Sequence, residues 1–286
     1  MRYTIKDFNK QFKSDAQCLE FIYRKRYPQG ANCSVCGRKD QFYPISERKA
    51  YSCACGHQIS PTAGTIFHKS PTPLKSWFFA IFLMMTSKNG VAAKELERQL
   101  GVTYKCAWRM AHQIRQLLKE GPLALSGVVE ADETFIGGHR KGGQDKKSKM
   151  PVFGMLERGG NVVAKVVPDV SAQSLLPQLE QHVIPQSKLI TDEWHPYRRS
   201  VHRDFKHETV NHRKGEWVRA HVHTNSIEGF WSQLKRSIHG TFHSVSPQHL
   251  QKYVNEFSYR YNRRKSETPM FLHLIADVAA QHGPAV

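Results

Sequence analysis

Four cysteines come in two close pairs, Cys33-Ser-Val-Cys36-Gly and Cys53-Ala-Cys55-Gly, with 16 residues between them. Four thiolates at that spacing make a tetrahedral sulfur site that favours Zn²⁺, and four protein ligands leave no open position, so the metal is expected to be structural. The second pair is tighter than the usual CxxC and leaves His57 as an alternative ligand for one thiol. Cys18 and Cys106 lie apart and read as small buried apolar residues. The second set is acidic. Asp132 lies in Val128-Val-Glu-Ala-Asp-Glu-Thr-Phe-Ile136, alternating on one strand face with Val128, Glu130, Thr134 and Ile136. Asp192 closes the short strand Lys188-Leu-Ile-Thr191, so its carboxylate emerges at a strand's carboxyl edge, where open sheets flanked by helices place their ligands. The third acid belongs to His223-Thr-Asn-Ser-Ile-Glu-Gly-Phe-Trp-Ser-Gln-Leu-Lys-Arg-Ser-Ile238, read as a helix capped by Thr224. Ile227, Phe230, Trp231, Leu234 and Ile238 form its buried stripe, and Asn225, Glu228, Ser232 and Lys235 form the opposite one. Carboxylates repel phosphate unless a cation sits between them, so Asp132, Asp192 and Glu228 together point to Mg²⁺ or Mn²⁺, with Lys235 touching phosphate.

The elements that must hold these groups are legible in outline. Residues 1–28 form a helical lead-in with Phe8, Phe12, Leu19 and Ile22 inward, and 29–68 form a small ribbon held by metal rather than by a core. Residues 69–122 are helical: Leu74 to Met85, Val91 to Leu100, then Gly101-Val102-Thr103 and a helix from Tyr104. That order has the form of a helix-turn-helix, with Tyr104, Ala107, Trp108, Ala111, Ile114 and Leu118 on the buried stripe and Lys105, Arg109, His112 and Arg115 on other faces. From 123 to 272 the pattern changes to strand, hairpin, helix and strand, which predicts a mixed sheet flanked by helices; the hairpin turns at Arg158-Gly159-Gly160, the helix starts at Ser171, and 273–286 form a tail. The fold class is therefore α+β with several domains. His139 to Lys149 reads as a basic loop containing Arg140 and Lys141, and the closing helix Pro247 to Arg264 buries Leu250, Tyr253, Val254, Phe257 and Tyr261.

The 286 residues carry 42 Lys and Arg against 24 Asp and Glu, a formal charge of +18, so a polyanion is the expected partner. Residues 195–265 alone hold 14 basic residues against 5 acids, half of that net charge. Phosphate contacts are expected from Lys105, Arg109, Arg140, Lys141, Lys235, Arg236, Arg260, Arg263 and Arg264. No signal-like amino terminus and no run near the roughly 20 apolar residues of a membrane span occurs, which predicts a cytoplasmic protein associated with the nucleoid when DNA-bound, with no membrane partner.

The segments CSVCG and CACGHQISPTAGTIFHKSPTPLKSW, with VVEADETFIGG, ITDEWHPY and HTNSIEGFWSQLKRSIHGTFH, resemble the ISXO2-like, zinc-ribbon DDE transposases of bacterial insertion sequences, from about residue 20 to 272. The resemblance implies a ribonuclease-H-like catalytic domain. It also implies a two-metal site in which Asp132, Asp192 and Glu228 match the family's acids, with 35 residues between the last two and Lys235 seven after Glu228. Some relatives use asparagine as the third residue, which leaves Asn225 as the alternative to Glu228. The implied activity is cleavage at insertion-sequence ends followed by 3′-hydroxyl strand transfer into target DNA. Its partners are the double-stranded inverted-repeat ends and target, and the protein is expected to act as a homo-oligomer on DNA. Two other classes stay open: a DNA-binding regulator built on the ribbon and helix-turn-helix, and a metal-dependent nuclease that cuts without joining.

Overall fold

A computed structural model describes residues 3–137, 149–192, 205–210, 218–219 and 221–280. The chain divides into two compact units, Met1–Leu117 with Ser266–Val286, and Leu118–Lys265.

In the first unit, α1 (Ile5–Gln11) opens with a reciprocal cap: the Thr4 amide donates to the Asp7 carboxylate at 2.8 Å and the Asp7 amide to the Thr4 hydroxyl at 3.3 Å. α2 (Asp15–Arg26) follows, and the expected inward residues Phe8, Phe12, Leu19 and Ile22 are all buried. Cys18 is buried on α2, and burial pushes its thiol up to about 12, as befits an inert core residue. A three-stranded antiparallel ribbon comes next, in the order β1 (Phe42–Pro44), β2 (Tyr51–Cys53), β3 (Gln58–Ile59). The helices α3 (Leu74–Thr86), α4 (Ala93–Leu100) and α5 (Tyr104–Leu117) complete the sequence-local part. Gly101 ends α4 at φ +63°, the left-handed conformation that a short interhelical turn requires.

Two expectations for this unit are overturned. On α5 the buried face is Ala107, Met110, Ala111 and Ile114 together with His112 and Arg115, whereas Tyr104 and Trp108 are 50% and 38% exposed. Arg115 buries its carbon stem while its Nη2 donates to the Val91 carbonyl at 3.4 Å, so a charged residue sits inside where the sequence pattern places it outside. The segment from 273, expected as a tail, belongs to α9 (Met270–Ala280), whose Phe271 packs against Phe8, Phe12 and Phe82 with ring centroids 5.7–5.9 Å apart.

The second unit is a five-stranded sheet with helices on both faces. β4 (Val128–Gly137), β5 (Lys149–Glu157) and β6 (Val162–Val166) form an antiparallel meander, and β7 (Lys188–Asp192) and β8 (Lys206–Val210) add in parallel on the other side of β4. The resulting order β6-β5-β4-β7-β8 is the ribonuclease-H-type mixed sheet anticipated above. α6 (Ala172–His182) covers one face, where Val129, Ala131, Phe153 and Met155 meet Leu175 and Leu179. α7 (Asn225–Ser237) and α8 (Pro247–Asn262) cover the other, where Val152, Leu156 and Val162 meet Ile227, Phe230, Trp231, Leu234, Leu250, Val254 and Phe257. Between these two helices α7 widens into a π-helical turn, Ile238–Phe242. No helix among the described residues is long and apolar enough to cross a membrane.

Candidate functional site

The four cysteine sulfurs all lie within 4.8 Å of one another, with Cys33 to Cys55 at 3.5 Å and Cys36 to Cys53 at 3.6 Å. Tetrahedral Zn–S bonds of about 2.3 Å place neighbouring sulfurs about 3.8 Å apart, so the donor set fits structural zinc. Burial opposes ionisation of Cys33, but the amides of Cys36 and Val35 and the neighbouring thiols hold its thiol down at about 6. His57 lies outside the four-sulfur cluster: its imidazole Nε2 is 3.3 Å from the Ser34 hydroxyl.

The acidic cluster is built on the centre of the second unit. β4 and β7 run parallel with Val128 opposite Lys188 and Glu130 opposite Ile190; Asp132 and Asp192 each lie two residues beyond that last pair, near enough for the charge of Asp192 to act on Asp132. Asp132 shares its strand face with Glu130 and Thr134, toward α7. Glu228 stands one turn into α7, exposed, with the Thr224 hydroxyl donating to its Oε1 at 2.8 Å. A cleft of about 280 Å³ is lined by Asp132, Glu133, Thr134, Glu228, Trp231, Ser232 and Lys235. Asn225 is the exposed first residue of α7 and is not among the cleft's lining residues.

The electrostatics of Asp132 follow from this crowding. Burial and then the charge of Asp192 raise its carboxyl to about 6, with a smaller push from Glu228; the Glu133 amide and the Trp231 indole oppose the rise. That indole donates to Asp132 Oδ2 at 3.0 Å. It reaches the carboxylate because the strand residue opposite Asp132 is Gly154, where a Cβ would fall 2.5 Å from the indole ring. A carboxyl raised in this way by burial and two neighbouring acids belongs to a donor set suited to a divalent cation, whose charge offsets the repulsion.

The structure also contains groups that sequence reasoning missed. Glu130 is completely buried, and its Oε2 accepts the amides of Ser226 at 2.8 Å and Ile227 at 3.0 Å, the second and third residues of α7. Its Oε1 accepts from Arg158 Nε at 2.6 Å and the Ser226 hydroxyl at 3.0 Å. Arg158 further donates to the carbonyls of His221 and His223 at 2.6 and 2.7 Å. The expected cap is corrected accordingly: Thr224 occupies the N-cap position, but its side chain caps no amide. The one signal in the sequence was a glutamate on the inward face of an apolar strand.

Of the expected phosphate-contacting residues, Lys105, Arg109, Lys235 and Arg236 are exposed. Arg260 and Arg263 are not free for that role: Arg260 pairs with buried Glu256 at 2.7 Å, and Arg263 pairs with Glu120 and lies 3.8 Å over the Tyr259 ring. Arg264 stacks 3.7 Å over Tyr261. Arg140 and Lys141 lie outside the described residues.

Residues 124–262 match the ISXO2-like transposase domain and residues 13–58 match the transposase zinc-ribbon domain. Over 278 residues the chain is 25% identical to an uncharacterized protein in transposable element ISH50 of Halobacterium salinarum, covering 88% of this chain and 92% of that protein. Over 116 residues it is 29% identical to an uncharacterized transposase-like protein of Haemophilus influenzae, covering 40% of this chain and 93% of that one. Among solved structures it is similar to a chain of the simian T-cell lymphotropic virus intasome in complex with PP2A regulatory subunit B56 gamma (15% identity, TM-score 0.31, 64% of this chain and 65% of that one). It is also similar to a chain of a pre-cleavage Mos1 transpososome (11% identity, TM-score 0.27, 72% of this chain and 79% of that one). The chain thus carries a transposase zinc-ribbon domain near one end and, on the mixed sheet, an ISXO2-like transposase domain.

Proposed function

We propose that this protein cuts DNA at the ends of an insertion sequence and joins the freed 3′-hydroxyl to target DNA, with Asp132, Asp192 and Glu228 as the catalytic acids. The observation that carries this reading is that Asp132 and Asp192, just past the paired stretch of the parallel strands β4 and β7, lie close enough to interact, while Glu228 shares a cleft with Asp132. When bound by these carboxylates, Mg²⁺ or Mn²⁺ supplies Lewis-acid activation of the attacking and leaving oxygens. The chain's own part is positional. β4 and β7 fix two acids by backbone hydrogen bonds, α7 brings the third across from them, and Trp231 holds one oxygen of Asp132. Lys235, two turns along α7 in the same cleft, meets the phosphate whose charge the acids alone would repel. Glu228 is favoured over Asn225 because it lines the cleft and is the harder ligand. The exposed face of α5, with Lys105 and Arg109, serves end binding, and the protein acts as a multimer on paired DNA ends in the cytoplasm.

The test combines the zinc-loaded protein, a labelled duplex bearing the element's terminal repeats, Mg²⁺ and a target plasmid. Cleaved ends joined to plasmid are the expected products, and Asp192→Asn is expected to keep end binding while losing both steps. Binding with no cutting makes the chain a regulator. Cutting with no joined product makes it a nuclease, and undiminished activity in Asp192→Asn removes that residue from the site.

A further inference from the structure

We propose that Glu130 and Thr224 act as a pair of positioning residues that set the third acid: Glu130 caps α7 from inside the sheet, which leaves the Thr224 hydroxyl to hold the Glu228 carboxylate. The proposal rests on the reading of Asp132, Asp192 and Glu228 as the metal-binding acids. An N-cap side chain ordinarily accepts the amides of the second and third helical residues. Here those amides, Ser226 and Ile227, go to Glu130 Oε2, and the residue at the N-cap position donates instead to Glu228 at 2.8 Å. The substitution of one cap for another ties the start of α7 to β4 two residues before Asp132. The helix and the strand that carry the facing acids are therefore joined by two amide hydrogen bonds and the Ser226 hydroxyl, within one turn of Glu228 and two residues of Asp132.

A buried carboxylate without partners would be costly, and Glu130 has a full set. Arg158, at the β5–β6 turn, neutralises its charge and also grips the carbonyls of His221 and His223, so the segment entering α7 is held on both sides. His223 Nδ1 lies 3.6 Å from Glu130 and 3.0 Å from Arg158 Nη2. A carboxylate at the amino end of α7 also meets the positive end of the helix dipole. Every donor around Glu130 thus fixes the height and rotation of α7, and one turn later that rotation decides where Glu228 points. Groups that orient a metal-binding carboxylate without touching the metal typically govern affinity by about 10–100-fold.

The probe is Mn²⁺ alone, titrated into the zinc-loaded full chain in the absence of DNA and followed by the electron paramagnetic resonance signal of the free ion. Glu130→Gln keeps the shape but loses the charge and half of the acceptor set. Thr224→Val keeps the shape and removes the hydroxyl that donates to Glu228, at a site that is 2% exposed. Both are expected to weaken Mn²⁺ binding roughly 10–100-fold. Thr224→Ser restores the hydroxyl and is expected to restore binding, and Asp132→Asn is expected to abolish it. Hydrogen exchange at the Ser226 and Ile227 amides rises in Glu130→Gln while the later turns of α7 stay protected. Should Glu130→Gln fail to fold, Thr224→Val with its serine rescue decides the matter. Wild-type affinity in both Glu130→Gln and Thr224→Val, beside lost affinity in Asp132→Asn, overturns the positioning role alone. Wild-type affinity in Asp132→Asn as well overturns the metal-site reading and this proposal with it.

Discussion

Gly154→Ala tests the packing that places Trp231 beside Asp132. Gly154 sits in β5 directly opposite Asp132, and a Cβ there would lie 2.5 and 2.6 Å from two indole ring carbons and 2.9 Å from Ile227 Cδ1. No real Cβ tolerates such distances, so something must shift by about 1 Å. The backbone at 154 is ordinary strand, so an alanine suffers no conformational penalty there and gains about 0.4–1 kcal/mol from a less flexible unfolded chain. Against this stands overpacking of a filled interior, about 1–3 kcal/mol. The upper part of that range applies, because Trp231 is 4% exposed, its ring is wedged between sheet and helix, and its N–H is tied to Asp132 at 3.0 Å. The net expectation is a loss of about 2 kcal/mol, or roughly 4–8 °C in Tm for a unit of this size. Urea and thermal unfolding of the zinc-loaded chain measure it. A cycle with Trp231→Phe assigns the cause, since the smaller ring makes room and the double variant should be more stable than the sum of the single effects. An unchanged or raised Tm in Gly154→Ala, or strict additivity in the cycle, refutes the argument.

Three further outcomes follow from the same geometry. Elemental analysis is expected to find one zinc per chain, lost in Cys36→Ser or Cys55→Ser and retained in His57→Ala, because the four sulfurs alone complete the tetrahedron. The Asp169 carboxyl is held below its ordinary value by the hydroxyl and amide of Ser171 and then by the Ser174 hydroxyl, so its contribution to stability is present above the ordinary carboxylate range and fades as pH falls through the lowered value. Ser171→Ala should bring that carboxyl back toward normal in a carboxyl-carbon NMR titration, and no movement would sink the assignment. Asp132→Asn should raise Tm at neutral pH in buffer free of Mg²⁺ and Mn²⁺, since it removes one of three mutually repelling charges while keeping an acceptor for the Trp231 indole. A lowered Tm would mean that the carboxylate is a structural group.

How far the sequence disclosed this arrangement depended on whether the determining contacts were local. Strand alternation gave the face of Asp132, and the stripe Ile227, Phe230, Trp231, Leu234 gave the buried side of α7, because one period governs each element. The cysteine spacing gave the zinc set for the same reason. β8, Lys-His-Glu-Thr-Val, carries too little apolar pattern to announce a strand, and it forms because β7 offers it a parallel edge. On α5 two overlapping stripes compete, and only the neighbouring helices decide that Arg115 is buried and Trp108 is not. Helix starts were the least legible. α3 and α7 both lack a capping side chain at the N-cap position. Asp15 accepts the amides of Leu74 and Lys75 at 2.8 and 2.9 Å, and Glu130 does the same for Ser226 and Ile227. Caps supplied from 59 and 96 residues away leave no local signature.

Glu130 and Asp132 are two residues apart on one strand face, and the difference between their surroundings separates a structural acid from one suited to holding a cation. Glu130 is 0% exposed, yet it meets a guanidinium, a hydroxyl and two amides, so its charge is answered from within the protein. Asp132 opens to a cleft and meets one indole and one amide; the charges beside it, Asp192 and Glu228, are of its own sign, and burial adds to their effect. Three carboxylates set close together cost stability unless positive charge offsets them, and the guanidinium of Arg158 is bound to Glu130. That asymmetry supports the proposed reading of the cleft as the place where a divalent ion, and through it a phosphodiester, would complete the charge balance.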